Sequence, residues 1–483
     1  MTAPAAQREV AEFLAGITGQ GVVETHISLV FLGEGEVLKL KKALDLGFLD
    51  FTALETRARL IAHEQALNAP NAPGLYLGAV PVTRGAGGLA LGGEGEVLDW
   101  VLRMRRLPAE AFLDAHGALD GALLDRMADA VVDLHARAPR RAGDGAMDAT
   151  LAGNRAAGLA AGLPEAEVLA WHAAALAAHE ALRPWLAERA AAGFLRRCHG
   201  DLHLGNFCLL DGAPHAFDAL EFDEALATID VGYDLAFLLM DLDQRQGRAA
   251  ANRVLNRALG RTGDVAMLRG MPLWLSLRAF IRAHVAGKRG QDGVPLLRAA
   301  LAYLSARPAP RLVAVGGLQG TGKSWLARRI APALGAAPGA VVLRSDETRK
   351  RLAGVAPETR LPESAYTPEA NADVFAELQA RAREALAAGH SVILDAMFQR
   401  QAEREAVAAL HPDFTGLWLT APMEVLRARV AGRRDDASDA TPAILEAAAA
   451  RDPGPLDWHI LDATHDAAPE AMKALDLPPP PSP

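Results

Sequence analysis

Residues 317–324 read GLQGTGKS, and no other stretch limits the fold as strongly. The apolar run RLVAVGG (311–317) leads into it, and WLARRIAPAL follows with apolar residues at helical intervals. A strand that turns through glycines into a helix converges loop N–H groups and the helix N-terminus on one point, a cradle for phosphate oxygens. Gly317, Gly320, Thr321 and Gly322 form the turn. Lys323 is placed for β- and γ-phosphates, and the Ser324 hydroxyl for Mg²⁺.

Three more strand-like runs, AVVLRS (340–345), SVILDA (391–396) and TGLWLT (415–420), alternate with alanine-rich helical stretches such as 369–389. That alternation predicts a parallel sheet covered on both faces, an α/β domain over 311–475. The proline-bearing segment at 305–310 reads as a linker, and 476–483, ending in PPPPSP, as a disordered tail.

After the second strand comes LRSDETRKRLAG. Asp346 sits where parallel sheets bind ligands, and it either caps the helix or accepts a proton from an attacking hydroxyl. Arg349, on the same helical face, could fork onto a phosphate or carboxylate. Residues 311–460 resemble the small P-loop kinases of the polynucleotide 5′-hydroxyl kinase, gluconate kinase and zeta-toxin group. The resemblance implies that Asp346 is the base, Arg349 a substrate ligand and Asp395 an acid near Mg²⁺ or substrate. It also makes VLRARVAGRRDDASDAT a lid whose Arg427, Arg429, Arg433 and Arg434 neutralise the transferred phosphoryl group.

The first half carries a different pattern. HGDLHLGN (199–206), then FCLLDG, a turn and HAFDALEFD place an aspartate, an asparagine and a second aspartate in the order needed to position a hydroxyl and hold Mg²⁺ on ATP. Asp201 takes the first role; Asn206 and Asp218 offer the hard oxygen donors that the cation requires, with Glu221 nearby. His199, Asp201, His203 and Asn206 match the catalytic loop of the aminoglycoside phosphotransferase branch of the protein-kinase-like fold, which this half resembles. The match implies an α+β domain over 1–304, with a small lobe to about residue 100 and a helical lobe from 105. It further implies a nucleotide lysine, Lys39 or Lys41, paired with Glu64 of LETRARLIAHEQAL. Strand alternation puts both lysines on one face, and Lys39 is the preferred candidate. DWVLRMRRL (99–107) looks like the connection between lobes, while GEGE (33–36) and GGEGE (92–96) read as hairpin turns.

Nearly the whole chain is thus similar to fused bacterial proteins that join an aminoglycoside phosphotransferase-like domain to an AAA-type ATP-binding domain. GFLDFTALETR (47–57) and DVGYDLAFLLMDLD (230–243) add to the likeness. Two ATP·Mg²⁺ kinases acting on small-molecule hydroxyls are expected. The alternatives are a polynucleotide 5′-hydroxyl kinase in the second half, or one half sensing nucleotide for the other. A net charge of −9 over 483 residues disfavours long nucleic acid. Cys198 and Cys208 are too few to staple the chain, and no apolar run is long enough for a membrane span, so a cytoplasmic protein is expected.

Overall fold

The computed structural model describes residues 4–45, 50–143, 145–432 and 437–478. Arg433 and Arg434 of the expected lid fall outside these, as do 47–49 and the prolines from 479 onward. The chain packs as two compact units, one of Met1–Gly117, Asp133–Ala146 and Ala187–Asp234, the other of Ala118–Val132, Met147–Leu186 and Leu235–Pro483.

The first unit is built on an antiparallel sheet of β1 (Val22–Glu24), β2 (Ser28–Leu32), β3 (Glu36–Lys41), β4 (Tyr76–Gly85), β5 (Gly88–Leu91) and β6 (Glu96–Arg105), ordered β1-β2-β3-β6-β4-β5. The helix Arg8–Thr18 covers one face, packing Val10, Ala11 and Leu14 with Phe31, Leu38, Leu40 and Val101. On the other face Ile61 of the helix Leu54–Asn68 meets Tyr76 and Leu102. Successive side chains of a strand point to opposite faces, so Val101 and Leu102 feed different cores. By the same alternation Leu38 and Leu40 enter the first core, and Lys39 and Lys41 are left facing Glu64.

The segment expected to connect the lobes, DWVLRMRRL, is instead largely strand. β6 pairs with β3 on one side and β4 on the other, and the chain leaves the sheet only at Arg106. Its apolar residues serve two cores, which hides the simple alternation of a half-exposed strand. The turn at 33–36 is a hairpin between the paired strands β2 and β3, as expected, but 92–96 is not one: it joins β5 to β6, which lie on opposite sides of β4 and do not pair. Two small pairs complete this unit: β7 (Leu195–Arg197) with β10 (Thr228–Asp230), and β8 (Phe207–Leu210) with β9 (Ala213–Ala216).

The second unit joins helices, among them Met147–Ala160, Arg248–Thr262, Met271–Lys288 and Val294–Ser305, to a five-stranded parallel sheet. Its strands are β11 (Leu312–Gly317), β12 (Val341–Arg344), β13 (Val392–Asp395), β14 (Phe414–Thr420) and β15 (His459–Asp462), in the order β12-β13-β11-β14-β15. β11, fully buried, pairs with β13 and β14, which places the glycine loop above the centre of the sheet. Val313, Val315, Leu326, Ile330, Ile393 and Leu417 form the core beneath the loop. Leu477 still packs against it. Among the described residues no helix is long and apolar enough to cross a membrane. Cys198 and Cys208 form no disulfide and are buried, and burial pushes the Cys208 thiol up to about 12.

Candidate active sites

In the first unit the loop after β7 and the β8–β9 hairpin bring the expected residues together. Asn206 donates from Nδ2 to the Asp201 carbonyl at 2.8 Å and to Asp201 Oδ2 at 3.0 Å. Its amide oxygen is not used in that contact. His199 is a strut. Burial lowers its pKa, and the neutral ring donates from Nε2 to Phe217 O at 2.9 Å while Nδ1 accepts from Asp201 N at 3.3 Å.

Asp218 follows the hairpin with φ of +60°, a left-handed conformation that costs an L-residue free energy and must be held by its surroundings. Two contacts hold it: Asp218 N donates to the Tyr76 hydroxyl at 3.0 Å, and Ala219 N to Asn68 Oδ1 at 2.8 Å. Neither Tyr76 nor Asn68 was legible in the sequence. Lys39 Nζ then bridges Asp218 Oδ1 at 2.6 Å and Glu64 Oε1 at 2.7 Å.

Lys41 does not compete with Lys39 for this place. Its ammonium meets the other oxygen of Glu64 at 2.7 Å and also pairs with Glu221. Glu221 is buried beside Lys41. Burial alone would raise the Glu64 carboxyl, yet the Lys39 and Lys41 ammoniums hold it down at about 2. Burial opposes the charge on Lys39, but Asp218, Glu64 and Glu221 outweigh it and raise its pKa.

Asp234, fully buried near the start of the helix Val231–Arg245, anchors the catalytic loop. It accepts from Gly200 N at 2.9 Å and His199 N at 3.2 Å, and contacts His135 Nε2 at 2.9 Å. An aspartate inside the apolar run VGYDLAFLLM was the signal in the sequence, since a buried charge needs partners.

In the second unit β11 ends in the glycine loop. Gly317, Gly320 and Gly322 have φ of +130°, +85° and +88°, and a Cβ on Gly317 would lie 2.4 Å from Leu419 O. Lys323, first residue of the helix Lys323–Ile330, donates to Gly317 O at 3.0 Å and Leu318 O at 2.8 Å. Ser324 Oγ donates to Asp395 Oδ2 at 2.5 Å, so the two residues expected at Mg²⁺ do meet. Arg344 Nε reaches the same Asp395 oxygen at 3.2 Å.

Asp346 opens the helix Ser345–Leu352 and is half-buried. Burial raises its pKa, Arg344 opposes and the Asp395 charge adds to the rise. The helix shows no side-chain cap hydrogen bond.

Arg349 departs from the substrate fork expected of it. Its guanidinium is buried, donates to Ala365 O at 2.7 Å and Asn371 Oδ1 at 2.6 Å, and lies over the Tyr366 ring. It braces the 365–371 turn. Arg429 likewise donates to Ala463 O at 2.8 Å and, more weakly, to Gly320 O at 3.4 Å. With Gly320, Trp325, Thr464 and His465 it lines a cavity of about 430 Å³ beside the glycine loop. Arg427 pairs with Glu446 at the surface. Asp439 accepts from Lys350 Nζ, Leu361 N and the Tyr366 hydroxyl. Gln319 Oε1, Gln399 Oε1 and Arg349 Nε are buried without a hydrogen-bond partner in this same half.

Residues 53–274 match the family described as phosphotransferase enzyme family, and residues 312–453 match an AAA domain. An uncharacterized protein of Mycobacterium tuberculosis (strain ATCC 25618 / H37Rv) is 30% identical over 472 residues, covering 90% of each chain. A thymidylate kinase of Xanthomonas euvesicatoria pv. vesicatoria is 36% identical over 116 residues, 22% of this chain and 49% of that protein. Among solved structures, a thermostable mutant of an aminoglycoside phosphotransferase is 14% identical with a TM-score of 0.40, covering 61% of this chain and 97% of its own. A sugar kinase from Janibacter sp. HTCC2649 is 22% identical with a TM-score of 0.28, covering 35% of this chain and 96% of its own. The chain therefore belongs to the family of two-domain proteins, shared along its length with the mycobacterial protein, that join an aminoglycoside-phosphotransferase-type kinase domain to a P-loop kinase domain of the AAA type.

Proposed function

We propose that the chain carries two ATP-dependent phosphotransferase sites, in domains over 1–304 and 311–475, each moving the γ-phosphoryl group to a hydroxyl of a small-molecule acceptor. The observation that carries the reading is the meeting of Lys39 and Asp218, 179 residues apart, with Asp218 one residue past Phe217, whose N–H donates to Asn206 O. Such a set has no structural need for so many charges in one cleft.

At the first site Asp201 orients the acceptor hydroxyl and takes its proton, while Lys39, aimed by Glu64, grips the phosphates. Asn206 and Asp218 offer the oxygen donors that fit Mg²⁺, and at the second site Ser324 and Asp395 do. Bound there with ATP, the cation would offset charge on the phosphates. At the second site the loop N–H groups and Lys323 hold the phosphates, and Asp346 receives the proton. The orphan oxygens of Gln319 and Gln399 call for hydrogen-bond donors, which a polyhydroxylated acceptor supplies. Catalysis in both sites is positioning plus electrostatic compensation.

The test incubates the full chain with Mg·ATP and sugars, aminoglycosides, nucleosides or 5′-hydroxyl oligonucleotides, reading the mass gain of one phosphoryl group. Asp201→Asn should remove one product and Asp346→Asn another. Loss of an oligonucleotide product in Asp346→Asn, with steep salt dependence, would instead make the second half a polynucleotide kinase. A variant that removes no product makes its half a sensor.

A further inference from the structure

β12 is the edge strand of the parallel sheet: β13 pairs with one side of it, and among the described residues no strand pairs with the other. An open edge presents unpaired N–H and C=O groups that a fold must cover. Here the cover is a helix from the phosphotransferase-matching part of the chain, Arg248–Thr262, packed in the same compact unit.

Two asparagines on successive turns of that helix stand in for a strand. Asn256 Oδ1 accepts from Val342 N at 2.7 Å, and its Nδ2 donates to Ala340 O at 3.2 Å. Asn252 Nδ2 donates to the same carbonyl at 3.0 Å and, through Oδ1, accepts from Asn256 Nδ2 at 3.0 Å. A carboxamide offers a donor and an acceptor side by side, as a peptide group does, so Asn256 takes Ala340 O and Val342 N, two of the outward groups that a neighbouring strand would have paired. Asn252 is 2% exposed. Leaving these buried backbone groups unpaired is costly.

The same helix also packs against the segment after β12. A Cβ on Gly260 would lie 2.9 Å from Glu347 Oε2, and one on Gly263 would lie 2.8 Å from Arg351, so small residues admit the Ser345–Leu352 helix at close range. Arg257 reaches Glu358 Oε1 at 2.6 Å while held by Asp129. Glu347 in turn pairs with Arg344 at 2.6 Å, and Arg344 with Asp395.

We infer that Asn252 and Asn256 are positioning residues for the P-loop site: they fix β12 from the phosphotransferase side and thereby the helix that carries Asp346. The claim rests on the proposed role of Asp346. A helix from the phosphotransferase-matching stretch thus covers the edge of the parallel sheet within one compact unit.

The experiment uses the full chain and compares wild type, Asn256→Leu and Asn256→Asp, with hydrogen exchange read by segment. Asn256→Leu should raise exchange across 341–352 by about tenfold or more, while 312–330 keeps its protection. Asn256→Asp, which retains the acceptor for Val342 N, should recover most of that protection. For any P-loop product, kcat should fall about tenfold in Asn256→Leu with the KM for ATP unchanged, and the first-site product should be made at the wild-type rate. Unchanged exchange at 341–352, or raised exchange with unchanged kcat, overturns the inference. If wild type yields no P-loop product, the functional reading fails, while the exchange data still decide whether the asparagines hold the strand and helix.

Discussion

Lys39 and Lys323, both proposed to grip ATP phosphates, are held in different ways. Lys39 lies between two carboxylates, Glu64 and Asp218, with a second lysine behind Glu64. Lys323 rests on two backbone carbonyls of its own loop. Full charges compensate each other in the first site, so removing one member strands the rest. In the second, peptide carbonyls contribute to the hold on Lys323, and they remain after any side-chain change. The first arrangement ties binding geometry to fold stability, and the second separates them.

The largest effect expected is on turnover, where the two sites should behave alike. Asp201→Asn and Asp346→Asn should each lower the rate of their own product by about 10²–10⁴ and leave the other intact, as measured by product mass in parallel reactions. A single variant that removes both products would show that the sites are not separate.

Stability should set the lysines apart. Glu64→Ala leaves two buried ammoniums without their shared carboxylate and should cost about 3–5 kcal/mol in urea unfolding. Lys323→Ala should stay within about 0.5 kcal/mol of wild type while abolishing nucleotide binding at the second site. Equal losses would erase the distinction.

Acid should reveal the same contrast. The Glu64 carboxyl is held at about 2 in the folded protein against 4.5 ordinarily, a depressed acid. Its contribution is therefore fully present above 4.5 and lost as pH falls through about 2. The stability gap between wild type and Glu64→Gln should narrow across that window and be flat above it. At the second site Asp346 is raised, so the acid limb of its rate profile should lie above 3.8 and vanish in Asp346→Asn, whose residual rate should not follow it.

The smallest expected difference lies within the glycine loop. Gly322→Ala meets open space and should cost only the left-handed strain of about 1–2 kcal/mol. Gly320→Ala adds a contact of 2.9 Å with Leu426 O and should cost measurably more by thermal unfolding.

The two sites also differed in how far they could be read from the chain. GLQGTGKS is one covalent stretch, so its turn, its helix start and the places of Lys323 and Ser324 follow from local backbone geometry. HGDLHLGN is equally local, and Asp201 and Asn206 meet as expected. The alternation of EVLKLKK put both lysines on one face, but it held no information on how they divide Glu64. Arg349 matched a motif by spacing, whereas the turn at 365–371 that occupies it is a matter of packing.

Sequence alone determined the two kinase folds and the residues that stand within a few positions of one another, because chain connectivity and dihedral preference act over that range. Tertiary structure alone decided the rest: Tyr76 and Asn68 behind Asp218, Asp234 under the catalytic loop, Glu221 on Lys41, and Asn252 and Asn256 on the edge of β12. Each of these satisfies a buried charge or backbone group belonging to a distant segment. Which segment supplies the partner depends on how the layers pack, and no local pattern encodes it.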